Sequence, residues 1–222
     1  MKTLITILCG AFFILCLSSC FEITEEVAMN ADGSGKVTLT INLSESKRSL
    51  VNYMKVGSVD GMAVPSRREI EEKLDAILYT LQKTKGLSEV IIKRNFDDFI
   101  FVCSSEFANV AALNKAINEI ADLLNESHYP TIRTTQFDYS DRQFARRFKY
   151  PLKPETYTNA KLSTRYMMDT ARMISIFRLP QAVKKISNED ALLSPSKKSV
   201  MLQASLAELI KGEVKLDNII SF

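Results

Sequence analysis

Apolar and polar residues alternate with a period of two almost from residue 21. Phe21, Ile23, Val27 and Met29 are apolar, with Glu22, Thr24 and Glu26 between them. After Asn30-Ala-Asp-Gly-Ser-Gly35 the odd positions Val37, Leu39, Ile41 and Leu43 are apolar again, alternating with Lys36, Thr38, Thr40 and Asn42. Two such runs around an Asp-Gly turn predict a β-hairpin with one buried face. Glu25 breaks the pattern on that face. Its place implies either a sheet edge or a basic partner, and one acid alone defines no site.

The period then changes. Ser66-Arg-Arg-Glu69 has the spacing of a capping box, and Ile70, Leu74, Ile77, Leu78 and Leu81 follow at helical intervals as far as Gly86. A second hairpin is predicted from 89–93 and 99–104, turned by Asn95-Phe-Asp-Asp98. A second helix over 110–125 carries Leu113, Ile117, Ile120 and Leu124 on one face. A third hairpin, 133–139 with 143–150, turns through Ser140-Asp141. Pro151 and Pro154 mark a break, and Leu152–Lys161 reads as a surface loop. Strands near 172–178, 199–203 and 219–222 follow, with a short helix at 206–210. The expectation is an α+β fold, a largely antiparallel sheet built from repeated β-hairpins with helices packed on one face. Residues 20–222 are expected to form one domain.

Ahead of this pattern, Leu4–Leu17 is an apolar run after Lys2, matching the h-region of a signal peptide. A membrane-spanning helix needs about 20 such residues, so the run is too short to remain as a span. It ends at Leu17-Ser18-Ser19-Cys20, the order of a bacterial lipobox: a branched apolar residue, two small residues, then the thiol that becomes a thioether. Cys9 and Cys16 each follow a bulky leucine and do not fit. The expected product is cleaved after residue 19 and lipidated at Cys20, which changes a soluble domain into an anchored one. Phe21 is not the aspartate that retains some lipoproteins in the inner membrane, so the outer membrane is favoured.

The mature chain carries 28 basic and 26 acidic residues, because Lys2 is the only charge in 1–19. That balance gives no support for nucleic-acid binding. Cys103 is the only other cysteine left after processing, so no intramolecular disulfide can form, and its apolar setting predicts a buried, inert thiol.

The lipobox, the early hairpin turning at Asp32-Gly-Ser-Gly35, the mixed α/β middle and Leu179-Pro180 resemble envelope lipoproteins of Bacteroidota-type bacteria. More distantly they are similar to the LppM-domain lipoproteins, which share an opening strand-DGS-strand hairpin and a late strand-Pro element. The resemblance implies a place in the cell envelope and glycolipid binding, and it carries over no binding residue.

Catalytic chemistry is not legible. His128, the only histidine, lies in a loop, so neither a hydrolase triad nor a zinc pattern can be assembled around it. Asp97-Asp98 belongs to a turn, and the neighbours Glu71 and Glu72 point in different directions on a helix. We therefore expect no enzyme, no cofactor and no metal. The remaining candidate is the stretch 133–153, where Arg133, Arg142, Arg146, Arg147, Lys149 and Lys153 interleave with Phe137, Tyr139, Phe144, Phe148 and Tyr150. Alternation puts Phe144, Arg146 and Phe148 on one face and Arg147 and Lys149 on the other. The stretch is either a strand with a solvated basic face or a cationic-aromatic surface for a membrane or anionic ligand. The expected function is a membrane-anchored binding module for a lipid, glycolipid or peptide. The alternative is a structural partner of another envelope protein.

Overall fold

The computed structural model describes residues 21–59, 62–124, 135–148 and 153–222, with only the backbone of Val59 and Met62. Cys20, His128, Arg133 and Lys149 lie outside the described residues.

The opening hairpin forms as its alternation predicts, from β1 (Glu22–Met29) and β2 (Gly35–Asn42), in register from Glu22 opposite Asn42 to Met29 opposite Gly35. Its turn is closed by Asn30 N–H donating to Ser34 O at 2.8 Å, with Gly33 at φ +86°, a conformation open to glycine at little cost. The Ser34 hydroxyl and then its amide hold the Asp32 carboxyl below its ordinary range.

After a short 3₁₀ turn at Ser44–Ser46 comes a helix the alternation did not announce, α1 (Lys47–Val56), followed by the small ribbon β3 (Ser58–Val59) and β4 (Met62–Ala63). Helix α2 (Arg67–Lys83) starts at the capping box, with the Ser66 hydroxyl accepting from Glu69 N–H at 3.3 Å and the Glu69 carboxylate accepting from Ser66 N–H at 2.6 Å. Gly86, at φ +93°, turns the chain into β5 (Leu87–Asn95), which pairs with β6 (Ile100–Phe107). Helix α3 (Val110–Leu124) follows.

The third hairpin is shorter than its alternation predicts, β7 (Phe137–Ser140) and β8 (Gln143–Arg146). Its two-residue turn, Asp141-Arg142, has positive φ at both positions, the handedness that matches strand twist. Residues 154–158 of the expected loop instead form a helix, α4 (Pro154–Thr158), opened by a proline at its first position where no N–H is needed. Helix α5 (Leu162–Thr170), which the sequence pattern does not predict, leads to β9 (Arg172–Arg178). The chain ends with β10 (Lys185–Ile186), β11 (Leu192–Leu193), β12 (Ser199–Ser205), α6 (Leu206–Lys211) and β13 (Asn218–Ser221).

These elements make an α+β fold with a seven-stranded sheet in the order β11-β12-β9-β1-β2-β6-β5. All pairs are antiparallel except β1 with β9. The C-terminal third thus extends the opening sheet rather than standing apart. The third hairpin does not join it, but forms a second sheet in the order β10-β13-β8-β7.

The register sorts the large sheet into two faces. Val27, Phe177, Val200, Phe107 and Leu202 point inward and are buried. Helices α2 and α3 pack beside β5 and β6 on this side, while the second sheet brings Phe144 to 5.2 Å from Phe177, ring centre to ring centre. Phe137, Phe144, Ile220 and Phe222 of the second sheet and its margins share one core cluster with Val27, Phe107 and Phe177 of the first. A second cluster, Leu202, Ala204, Leu209 and Leu216, seats α6 against β12.

Candidate functional site

Glu25 lies on the inner face of β1 and is only 8% exposed, so a carboxylate sits where the alternation calls for an apolar residue. It does not lie at an edge: β1 is flanked by β2 and β9. Its partner is Arg146 of β8, itself 3% exposed, with Nε donating to Glu25 Oε2 at 3.0 Å. The Ser175 hydroxyl, opposite Glu25 on β9, donates to the same oxygen at 3.3 Å. Arg146 Nη1 donates to Gln136 Oε1 at 2.6 Å and to Arg147 O at 3.0 Å. The guanidinium also lies over the rings of Phe137 (4.7 Å) and Phe148 (5.5 Å).

Gln136 is held in turn. Asn114 of α3 accepts from Gln136 N–H at 2.8 Å and Phe137 N–H at 2.9 Å through Oδ1, and donates through Nδ2 to Phe137 O at 2.7 Å. The network therefore pins three layers together: the large sheet through Glu25 and Ser175, the second sheet through Arg146, and a helix through Asn114. Its charges are spent on one another. The guanidinium has taken up a carboxylate, an amide oxygen and a backbone carbonyl, which makes this cluster a clamp between sheets.

That geometry corrects the expectation for the 133–153 stretch. Arg146 cannot face a membrane or an anionic ligand, because it is buried against Glu25. Phe137 and Phe144 are core residues in near-parallel contact at 5.7 Å. Arg147, on the outer face, is part-exposed and lies 3.5 Å from Asp138 in an ion pair. Arg142 is exposed in the turn. The cationic-aromatic surface is thus divided, its aromatic members and Arg146 going inward and Arg142 and Arg147 staying outside.

Cys103, expected to be buried, is only half-buried on β6, where desolvation raises its thiol pKa. Among the described residues, no group of three or more His, Cys, Asp or Glu could hold a metal ion. Two open depressions mark the surface. One, about 560 Å³, is bounded by Asn30, Ser34 and Lys36 of the opening hairpin and by Gly86, Ser88 and Glu106. The other, about 590 Å³, lies along α3 between Lys115, Glu119, Asp122 and Asp138. The outer face of the large sheet is different. There Leu192, Met201 and Ile176 stand side by side on β11, β12 and β9, with Leu192 61% exposed.

The molecule is thus of the α+β class, its two larger sheets sharing one core, with six α-helices and a two-stranded ribbon besides among the described residues. Among solved structures it is similar to the folded domain of LppM from Mycobacterium tuberculosis, determined by NMR, with 11% identity over 90% of this chain and 88% of that one and a TM-score of 0.39. No protein-family model matches the chain, and no curated protein matches it.

Proposed function

We propose that this protein is a lipid-anchored, non-enzymatic binding module of the bacterial cell envelope, attached through Cys20 and working within a few residues of the lipid headgroups. The observation that carries the reading is the distance from anchor to fold. Cys20 closes a lipobox, and β1 begins at Glu22, with Phe21 O already accepting from Arg172 N–H at 2.9 Å. No linker separates the lipidated residue from the sheet. One acyl chain binds a membrane marginally, whereas two or more bind it stably. The outer membrane is the favoured location, on the strength of Phe21 at the position after the cysteine.

Both surface depressions have the volume of small-ligand sites, which span about 300–1,000 Å³. Their lining mixes apolar side chains (Leu87 and Phe107 in one, Val110 and Phe137 in the other) with charged and polar ones, as an amphiphilic ligand would need. A second reading, docking onto another envelope protein, is favoured by the apolar row Leu192–Met201–Ile176 on the outer sheet face.

The anchor is tested by Cys20→Ala with metabolic labelling by a fatty-acid analogue. Labelled wild type and unlabelled variant are expected; label persisting in the variant would sink the assignment. Native mass spectrometry of the protein extracted from membranes then separates the two functions. An added mass of a lipid, sugar or peptide supports the binding module, and a defined protein complex supports the assembly partner.

A further inference from the structure

Helix α1 stands apart from the core. Its sequence, Lys47-Arg-Ser-Leu-Val-Asn-Tyr-Met-Lys-Val56, has no buried residue, whereas every other helix of nine residues or more contributes at least one. At 100° per residue, Tyr53, Leu50, Met54 and Val51 fall on one arc, with Lys47 at its N-terminal end between Met54 and Val51, and Lys55 and Arg48 together bordering the arc beyond Val51. Tyr53 and Val51 are exposed, as is Val56 beyond the arc. The helix carries three cations and no acid.

Its position follows from the register. Glu22, the first residue of β1, is opposite Asn42, the last of β2, and beside Arg172, the first of β9. The chain therefore enters the sheet at the same end from which β2 departs toward α1, five residues later. Lys47 Nζ lies 3.6 Å from Asp98, in the β5–β6 turn at that end. The Asn30–Ser34 turn is at the opposite end of β1, about 26 Å away for eight extended residues.

We propose that α1 is a membrane-interface helix, lying on the anionic bilayer that holds the anchor, with the Tyr53-Leu50-Met54-Val51 side toward the acyl chains and Arg48 and Lys55 among the headgroups. The inference rests on the anchor at Cys20, which confines this end of the sheet to the bilayer surface. A helix with an apolar side bordered by cations along one edge is a form that binds such an interface. Ten residues span about 15 Å, long enough to lie along the headgroup layer and too short to cross it. The occupant is therefore lipid, and the contact fixes the domain's orientation as well as its distance from the membrane.

The chain contains no tryptophan, so a single introduced indole reports its own surroundings. The full lipidated protein would be prepared as Val51→Trp and, separately, as Ala31→Trp, in vesicles of phosphatidylethanolamine and phosphatidylglycerol containing a brominated phospholipid. Flotation and lipid mass are recorded on the same samples. The expected result is blue-shifted, quenched emission from Val51→Trp and unquenched emission from Ala31→Trp. Adding Arg48→Glu and Lys55→Glu to Val51→Trp should restore emission while the protein still floats, with an unchanged circular dichroism spectrum. Floating protein whose Val51→Trp emission is unquenched overturns the inference and leaves the anchor standing. Quenching at both positions overturns the end-on placement, and quenching that survives charge reversal overturns the role of the cations. Protein that carries no lipid and does not float overturns the anchor, and this inference with it.

Discussion

The two hairpins β1–β2 and β7–β8 each place one charged side chain on the face their alternation reserves for the core. In β1 it is Glu25, in β8 Arg146. Taken alone, the acid implies a sheet edge or an unidentified basic partner, and the base suggests a surface for anions. Across 121 residues of sequence they are the two halves of one contact, 3.0 Å apart. A charge that breaks a period-two pattern is better read as half of a pair, whose other half is an equally misplaced opposite charge elsewhere in the chain. Arg147 sharpens the contrast. One residue further on, the same side chain type forms, among the described residues, a part-exposed pair with Asp138.

The largest effect should come from breaking the clamp on one side. Arg146→Met leaves Glu25 buried without its counter-charge, and removing one partner of a buried pair costs about 3–5 kcal/mol. For a chain of this size that lowers the thermal midpoint by roughly 10 °C. Glu25→Met with Arg146→Met should recover part of the loss, because neither charge is then stranded. Recovery stays incomplete, since the double variant also loses the hydrogen bond from Arg146 Nη1 to Gln136 Oε1, and a typical intramolecular hydrogen bond contributes about 0.5–1.5 kcal/mol. Chemical denaturation of wild type, both single variants and the double variant gives the coupling directly. Independent, additive losses would show that the two hairpins are not joined through this pair.

The opening hairpin, the capped helix α2, the second hairpin and most of the C-terminal strands were legible because each carries its own local signal: strict alternation, a Ser-x-x-Glu box, a turn residue. The strands β7, β8 and β13 of the second sheet were legible too, but their assembly apart from the large sheet was not, because β8 pairs with β13, more than seventy residues later. Helix α1 escaped for a different reason. It is only ten residues long and lacks the capping box that announces α2, since the Ser46 side chain makes no cap hydrogen bond. The inward side of Arg146 was legible from alternation with Phe144, yet a basic residue amid aromatics suggests a surface until the acid at Glu25 is set beside it. The parallel neighbour β9, which supplies Ser175 to the network, could not be found locally, as nothing in a strand's own residues names its partner.

A middle-sized effect should come from the capping box that begins α6, which follows β12, toward the opposite edge of the large sheet from β5. Ser205 N–H donates to the Glu208 carboxylate at 2.6 Å and its hydroxyl accepts from Glu208 N–H at 3.1 Å. Ser205→Ala removes the hydroxyl and should cost about 1 kcal/mol in denaturant unfolding. The backbone amide of Ser205, then its hydroxyl, hold the Glu208 carboxyl below its ordinary value of 4.5. A carboxyl depressed in the folded state stabilises at pH above 4.5, and that contribution disappears as pH falls through the folded value. The stability difference between wild type and Ser205→Ala should therefore shrink below pH 4.5. A difference that stays constant to pH 3 would mean that the Ser205 hydroxyl does not act on the Glu208 carboxylate.

The smallest effect is expected one residue from the largest. Arg147→Glu reverses a charge whose only close acid, among the described contacts, is Asp138 at 3.5 Å across a part-exposed surface. Exposed pairs are worth about 0–1 kcal/mol, because water screens them and two long side chains must be ordered to form them. Reversal adds a repulsion of similar size, so the thermal midpoint should move by no more than a few degrees. Its neighbour Arg146 should move it several times further, although the two substitutions alter adjacent residues of one strand end. Comparing the two midpoints tests the division of this stretch into an inward and an outward half. If Arg147→Glu were as damaging as Arg146→Met, the outer residue would be part of the clamp, and its backbone carbonyl, which accepts from Arg146 Nη1, would be the route by which the damage travels. If both were mild, Glu25 would have another way to satisfy its charge, and the pairing of the two misplaced residues would not be what holds the sheets together.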